Sequence, residues 1–199
     1  IEEYGRDFDT TSVGKAWLKY QSIYSYFTAE RIAYINLINC LEPPATAIYK
    51  NVCREWIGAQ IRGDYFGYIN PGAPEAAAEM AFNDARLSHV KNGIYGEMFV
   101  SAMLACAAVT NSIEDIILGG LSQIPKTSRL YESVMKILND YKNGVPLEKL
   151  LGYYIQSRFV RPKQRPYMTD NFYGAIQRQI DINREARFIA EKHPNPPPP

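Results

Sequence analysis

A carboxylate lies on the apolar side of a helix that the sequence predicts over residues 74–89. One side of this helix carries residues spaced by three and four positions, namely Ala77, Met80, Ala81, Asp84 and Ser88. The spacing turns Asp84 toward the core, and a buried carboxylate without partners would cost several kcal/mol. We therefore expect Asp84 to have bonding partners, either as a structural carboxylate or as part of a ligand site.

The end of that helix is a polar turn that contains the groups of an anion site. Ser88 and His89 are followed by Val90, Lys91 and Asn92, and then by the start of an apolar helix. An imidazole, an ammonium group and the free N–H groups of a helix N-terminus can bind a phosphate together. A plain capped turn is an equal alternative, because the helix dipole favours a histidine at a helix C-terminus.

Two further charged residues lie near this turn in the sequence pattern. Glu97 is the only charge in the apolar helix, and its predicted place in the first turn favours a structural role through the helix dipole. Arg62 lies in a glycine-rich stretch, where the backbone can approach a ligand or a neighbouring helix closely. The glycines of this stretch are Gly58, Gly63 and Gly67.

Capping residues and apolar periodicity predict helices along most of the chain, and we find no convincing strand. The predicted starts are Asp9 or Thr10, Thr28, Pro74, Gly93, Ser112, Thr127 or Ser128, Pro146 and Thr169. Another helix is predicted across Trp56, Ile57, Ile61 and Tyr65, although three glycines weaken it by about 1 kcal/mol each. The sequence therefore predicts an all-α protein, with one helical domain over 1–192 and a disordered proline tail over 193–199.

The charge balance gives no support for nucleic-acid or membrane partners. The 199 residues include 22 basic and 21 acidic side chains, for a formal charge of +1. A basic stretch over 158–166 is better explained as a solvated loop than as a nucleic-acid patch. No apolar run reaches the roughly 18 residues that span a bilayer. Three cysteines without metal or redox spacing favour a reducing compartment, so we expect a cytoplasmic protein.

Six blocks between residues 41 and 99 resemble the ADP-ribosylglycohydrolase family in their order and spacing. They are LEPPATA at 41–47, REWIGAQIR at 54–62, NPG at 70–72, AAAEMA at 76–81, DARLSH at 84–89 and NGIYGEMF at 92–99. The resemblance covers about residues 1–142. It implies an all-α, orthogonally packed helical bundle and hydrolysis of the bond between ADP-ribose and an acceptor.

The resemblance also implies a ligand and the residues that contact it. The family block similar to DARLSH has its histidine near bound ADP-ribose, so His89 is the first candidate, with Ser88 and Asp84 beside it. Tyr95 and Glu97 fall in the following block, and Arg62 falls in an earlier one. The implied partner is ADP-ribose or an ADP-ribosylated substrate. The implied cofactor is a pair of Mg²⁺ ions that hold ribose hydroxyls and a water.

The metal ligands are the point at which this chain departs from the family pattern. The family has an adjacent Asp pair followed by Thr, which would fall before Ile1, and a glycine-rich Asp-x-Asp block late in the chain. We find neither block, and we expect sequence upstream of Ile1. DFDTT at 7–11 is typical of a turn and helix cap, and Asp170 lacks the flanking pattern. We therefore expect an incomplete or inactive hydrolase, with a non-catalytic ADP-ribose- or nucleotide-binding module, or a structural protein on the same fold, as alternatives.

Overall fold

The computed structural model describes residues 1–146 and 149. Within them lie eight α-helices, two short 3-10 helices and no strand. The α-helices are α1 (Thr10–Tyr20), α2 (Thr28–Ile38), α3 (Ala45–Ile48), α4 (Asp64–Tyr68), α5 (Pro74–Ala85), α6 (Asn92–Ala107), α7 (Ile113–Leu121) and α8 (Arg129–Lys142). The 3-10 helices are Ile23–Ser25 and Gln60–Arg62. The predicted all-α class is confirmed.

Helix α6 is the centre of this fold, and helices α4, α5, α7 and α8 all pack against it. Its central place follows from its sequence, because a helix that is apolar on nearly every side is buried. The approach of α4 depends on Gly67, where an added Cβ would lie 2.5 Å from the Leu104 Cβ and 2.8 Å from the Ser101 carbonyl oxygen. The glycine therefore allows α4 to lie directly on the backbone of α6.

Side-chain caps fix where several helices begin, as the sequence predicts. Asp9, Ser112 and Ser128 each accept a hydrogen bond from the backbone N–H three residues further on. Pro74 opens α5 at a position where its missing N–H costs nothing. After α8, Gly144 has a φ of +73°, a left-handed conformation that commonly follows a helix.

The continuous helix that we predicted across Trp56 and Tyr65 does not form. The chain passes through turns, the 3-10 helix Gln60–Arg62 and the short α4 instead. The side chains on which the prediction rested are exposed by 42% to 71%, namely Trp56, Ile57, Ile61 and Tyr65. The glycines face inward in their place, since a Cβ added at Gly63 would lie 2.8 Å from the Ser101 hydroxyl. Small residues rather than large apolar ones therefore mark the packed side of this segment.

The isoleucines of α2 likewise do not mark its buried side. Ile35 and Ile38 are exposed. The buried residues of this helix are Ala29, Glu30, Ala33, Tyr34 and Asn36. Glu30 shares a helix face with Ala33 and Tyr34, because residues three and four apart are neighbours. Packing α2 by its small residues therefore carries the Glu30 carboxylate into the interior.

Residues Ile1–Gly144 form one compact unit, and Val145–Pro199 are a second. Of the second unit, only positions 145, 146 and 149 are described. The predicted helices that begin at Pro146 and Thr169, the loop over 158–166 and the proline tail therefore lie outside the described residues. The single domain over 1–192 stays a prediction. Among the described helices, none is long and apolar enough to cross a membrane.

Candidate ligand site around Arg62

Arg62 lies at the centre of a buried polar cluster that joins three parts of the chain. Its Nε donates to Asp84 Oδ2 of α5 at 2.8 Å, and its Nη1 donates to Glu30 Oε1 of α2 at 2.8 Å. Both carboxylates are buried, at 8% exposure. The predicted burial of Asp84, and its need for a partner, are confirmed. A charge-assisted pair of this kind is worth most where water is excluded.

Ser88 and His89 continue the cluster from the end of α5. Arg62 Nη2 lies 3.4 Å from Ser88 Oγ, and that hydroxyl lies 2.8 Å from His89 Nδ1. Both residues are fully buried, and within the described residues His89 Nε2 has no hydrogen-bond partner. Burial, together with the nearby Arg62 charge, lowers the pKa of His89 to about 3. The imidazole is therefore neutral at physiological pH.

The opposite side of the cluster is Glu97, which is fully buried in α6. Its Oε2 lies 3.9 Å from Arg62 Nη2, and neither carboxyl oxygen has a hydrogen-bond partner among the residues described. Burial, with the nearby Asp84 carboxylate as the next cause, raises the pKa of Glu97 well above its ordinary value. Because α6 begins at Asn92, Glu97 lies in the second turn. Its predicted first-turn position, and the dipole argument attached to it, are wrong.

Three carboxyl groups thus share one guanidinium. Burial also raises the pKa of Glu30, although Arg62 opposes that shift. For Arg62, burial disfavours the charge, but Asp84, Glu97 and Glu30 together outweigh it and raise the pKa. The cluster is therefore a permanent cation with two close carboxylates and a third carboxyl that favours its neutral form.

Two glycines make room for these carboxylates. A Cβ on Gly58 would lie 1.9 Å from Glu30 Oε1, so the carboxylate occupies the space where a side chain would be. A Cβ on Gly63 would lie 3.2 Å from Glu97 Cγ. The glycine-rich stretch was predicted to allow close approach to a ligand or a neighbouring helix, and here it admits the side chains of α2 and α6.

A cavity of about 230 Å³ borders the cluster at Asp84. Aromatic side chains line its walls, including Tyr4, Trp17 and Tyr65, and Asp84 contributes the carboxylate. The Arg62 guanidinium carbon lies 5.4 Å from the centre of the Trp17 ring, within the range of a cation–π contact. A ligand with an aromatic or sugar ring and a hydrogen-bond donor would suit this lining.

The structure brings together five of the six residues that the sequence marked as ligand contacts, namely Arg62, Asp84, Ser88, His89 and Glu97. Tyr95, the sixth, packs with Met98 against the apolar cluster of Ala59, Ala85 and Ile94. Lys91 is exposed whereas His89 is fully buried, so the turn does not present them on one surface. The role of these residues in ligand contact stays a prediction.

Sequence reasoning missed two members of the site. Glu30 lies 32 positions before Arg62, and its one signal was a carboxylate beside small residues on α2. Asn51 donates from Nδ2 to the carbonyl oxygens of Ala29 and Ser88, at 3.1 and 3.0 Å. It ties the start of α2 to the end of α5, and nothing in its local sequence indicated that role.

The described residues do not fit the metal site that the family implies. No group of three or more His, Cys, Asp or Glu side chains within residues 1–146 is placed to hold an ion. The carboxylates of Glu30 and Asp84 are bound by the Arg62 guanidinium instead. Asp9 caps α1, as predicted, and Asp170 lies outside the described residues. Mg²⁺ needs several oxygen ligands in near-octahedral geometry, and this cluster does not offer them.

The profile of the ADP-ribosylglycohydrolase family matches residues 1–175, and the chain belongs to this family. The match extends beyond residue 142, where the resemblance in the motif blocks was expected to end. It includes the five predicted residues of the buried cluster, the cluster's sixth member Glu30, and Tyr95. The family is in general metal-dependent and acts on ADP-ribosylated substrates. No curated protein and no solved structure matches the chain.

Proposed function

We propose that the chain provides the ADP-ribose-binding side of an ADP-ribosylglycohydrolase, a protein that hydrolyses the bond between ADP-ribose and an acceptor. The observation that supports this function is the Arg62 cluster, which lies within the family match and opens through an aromatic-lined cavity. Its donors and acceptors are the types that bind ribose hydroxyls and phosphate oxygens. We expect the protein to act in the cytoplasm, where its free cysteines stay reduced.

Within this proposal the six predicted residues have distinct parts. Asp84 lines the cavity and would meet the ligand first, with Arg62 paired to it directly behind. Ser88, His89 and Glu97 are buried behind them and would orient or complete the contact. Tyr95 would support the site from its apolar side through packing contacts. No step is assigned to Mg²⁺, which remains an expectation from the family.

The experiment is a calorimetric titration of the 199-residue chain with ADP-ribose, with and without Mg²⁺. Binding that Asp84→Asn weakens at least tenfold would support the proposed site. Glu79→Gln is the matched control, because Glu79 is an exposed acid on the same helix. Absence of binding in both conditions would overturn the proposal for this chain. If the chain binds ADP-ribose, release of ADP-ribose from a modified protein is assayed to test catalysis.

A non-catalytic ADP-ribose- or nucleotide-binding module is the second candidate function. It is favoured by one observation, that the Arg62 guanidinium pairs with the Glu30 and Asp84 carboxylates, which are then not free to serve as metal ligands. Affinity for ADP-ribose that is independent of Mg²⁺, with no release from modified proteins, would favour this candidate. Affinity that requires Mg²⁺ would favour the hydrolase.

A further inference from the structure

The Ser88 hydroxyl has two partners, and their chemistry decides where its proton lies. Ser88 is fully buried, and within the described part of the chain its Oγ meets Arg62 Nη2 and His89 Nδ1. A guanidinium group only donates, so Ser88 Oγ accepts from Arg62. Its own proton is then available to His89 Nδ1. A neutral imidazole that accepts at Nδ1 carries its proton at Nε2.

Glu30 decides where Arg62 points. A guanidinium is planar, so two carboxylates on different edges fix both its plane and the direction of the remaining nitrogen. Asp84 holds Nε and Glu30 holds Nη1, each at 2.8 Å, which leaves Nη2 facing Ser88. The absent side chain at Gly58 gives Glu30 its place. Asn51 in turn ties the backbone beside Glu30 to that of Ser88.

We propose that Glu30 is a positioning residue, which acts through Arg62 and Ser88 to hold His89 with its proton on Nε2. The imidazole then offers a hydrogen-bond donor to an acceptor oxygen of a ligand, such as a phosphate or sugar oxygen. Within the described residues nothing accepts from Nε2, and a buried donor without an acceptor is costly. The ligand's identity rests on the proposed function, whereas the tautomer and its dependence on Glu30 do not. Because His89 is fully buried, contact with a ligand requires the residues that cover it to move.

Nitrogen NMR of the histidine rings tests this proposal directly, because the chain has two histidines, His89 and His193. Long-range proton–nitrogen spectra of the ¹⁵N-labelled 199-residue chain at pH 7 reveal which ring nitrogen carries the proton. His89→Gln assigns the signals and leaves His193 as the reference. We expect the proton of His89 on Nε2 and a hydrogen-bonded Nδ1. A proton on Nδ1 in the wild-type chain would overturn the proposal.

Variants then test the link to Glu30. Ser88→Ala removes the hydroxyl, so its spectrum gives the reference position of the His89 Nδ1 resonance when that hydrogen bond is absent. Glu30→Ala is expected to move the resonance toward that position, whereas Glu30→Gln, which can still accept from Arg62, keeps it at the wild-type position. If Glu30→Ala does not fold, Gly58→Ala displaces the carboxylate by another route and should move the resonance in the same way. An unmoved resonance in the folded variant would overturn the positioning role.

ADP-ribose affinity separates this inference from the proposed function. Glu30→Ala is expected to bind ADP-ribose roughly fivefold more weakly, the loss that follows from one misdirected hydrogen bond. Glu79→Gln is again the control, because Glu79 is an exposed acid that does not line the cavity at Asp84. If the wild-type chain does not bind ADP-ribose, the proposed function fails, and the NMR spectra still decide the role of Glu30. If the wild-type chain binds ADP-ribose and Glu30→Ala binds it equally well, Glu30 does not contribute to ligand binding, and that part of the inference is overturned.

Discussion

The buried cluster depends on one guanidinium that serves several acceptors at once. Arg62 has donors for Glu30, Asp84 and Ser88 in one plane, a geometry that a lysine ammonium cannot reproduce. Breaking such a set from one side is costly, because the partners left behind are buried and charged. The same residues that suit a ligand site therefore also hold α2, the 3-10 helix Gln60–Arg62 and α5 together.

Glu97 makes the stability of the protein depend on pH. Its folded pKa is raised above the ordinary value of 4.5, so above that pH the folded chain keeps a proton that the unfolded chain has lost. The contribution of the Glu97 carboxyl to the free energy of unfolding is therefore fully present below pH 4.5 and declines as the pH rises toward the folded pKa. Glu97→Gln is neutral at every pH. Its free energy of unfolding should therefore rise relative to that of the wild type by on the order of 1 kcal/mol per pH unit across this window.

Urea unfolding of the wild type and Glu97→Gln at pH 5, 6, 7 and 8 measures this difference. Glu79→Gln, a change at an exposed acid, should show little variation with pH against the wild type. A difference between Glu97→Gln and the wild type that stays constant over the series would show that Glu97 does not keep its proton on folding.

At the scale of elements, Gly58 is the residue on which the placement of α2 against the Arg62 segment depends. In Gly58→Ala the new Cβ would lie 1.9 Å from Glu30 Oε1, so the carboxylate must shift from its present position on Arg62. We expect a loss of about 1–3 kcal/mol in the free energy of unfolding, measured in urea. Gly14→Ala is the contrast, because its Cβ would meet the flexible ends of leucine side chains at 3.2 Å or more.

The mechanism of that loss can be separated from simple crowding. If Gly58→Ala acts by displacing Glu30, adding Glu30→Ala should cost less in the Gly58→Ala background than in the wild type, since neighbouring sites are not additive. Additive losses from the two changes would mean that the Cβ is accommodated without moving the carboxylate.

Elements with local signals could be predicted from the sequence, and those set by distant partners could not. The starts of α1, α5, α7 and α8 follow from Asp9, Pro74, Ser112 and Ser128, which act within one turn of the chain. The segment before α4 was predicted as a helix from apolar spacing, but Gly58 packs against Glu30 of α2 and Gly63 against α6, and these contacts override that spacing. Local periodicity contains no information about which neighbour will be close.

The candidate site divides in the same way. Asp84 could be placed inside because it lies on the same stripe as apolar residues of its own helix. Its pairing with Arg62, 22 positions earlier, and the presence of Glu30 depend on how α2 and α5 pack. The family resemblance identified Arg62, Ser88 and His89 as candidates, but it did not predict the contacts that link them.

For the whole molecule, the compact unit Ile1–Gly144 contains the three apolar clusters that the described residues form. We expect a chain ending at Gly144 to keep its helical circular dichroism and to unfold cooperatively on heating. A chain ending at Ser122 is the control, because it removes α8 and leaves the cluster around Leu121 without that helix, so it should melt at a lower temperature. A gradual, non-cooperative transition for the 144-residue chain would show that this unit needs the rest of the protein to fold.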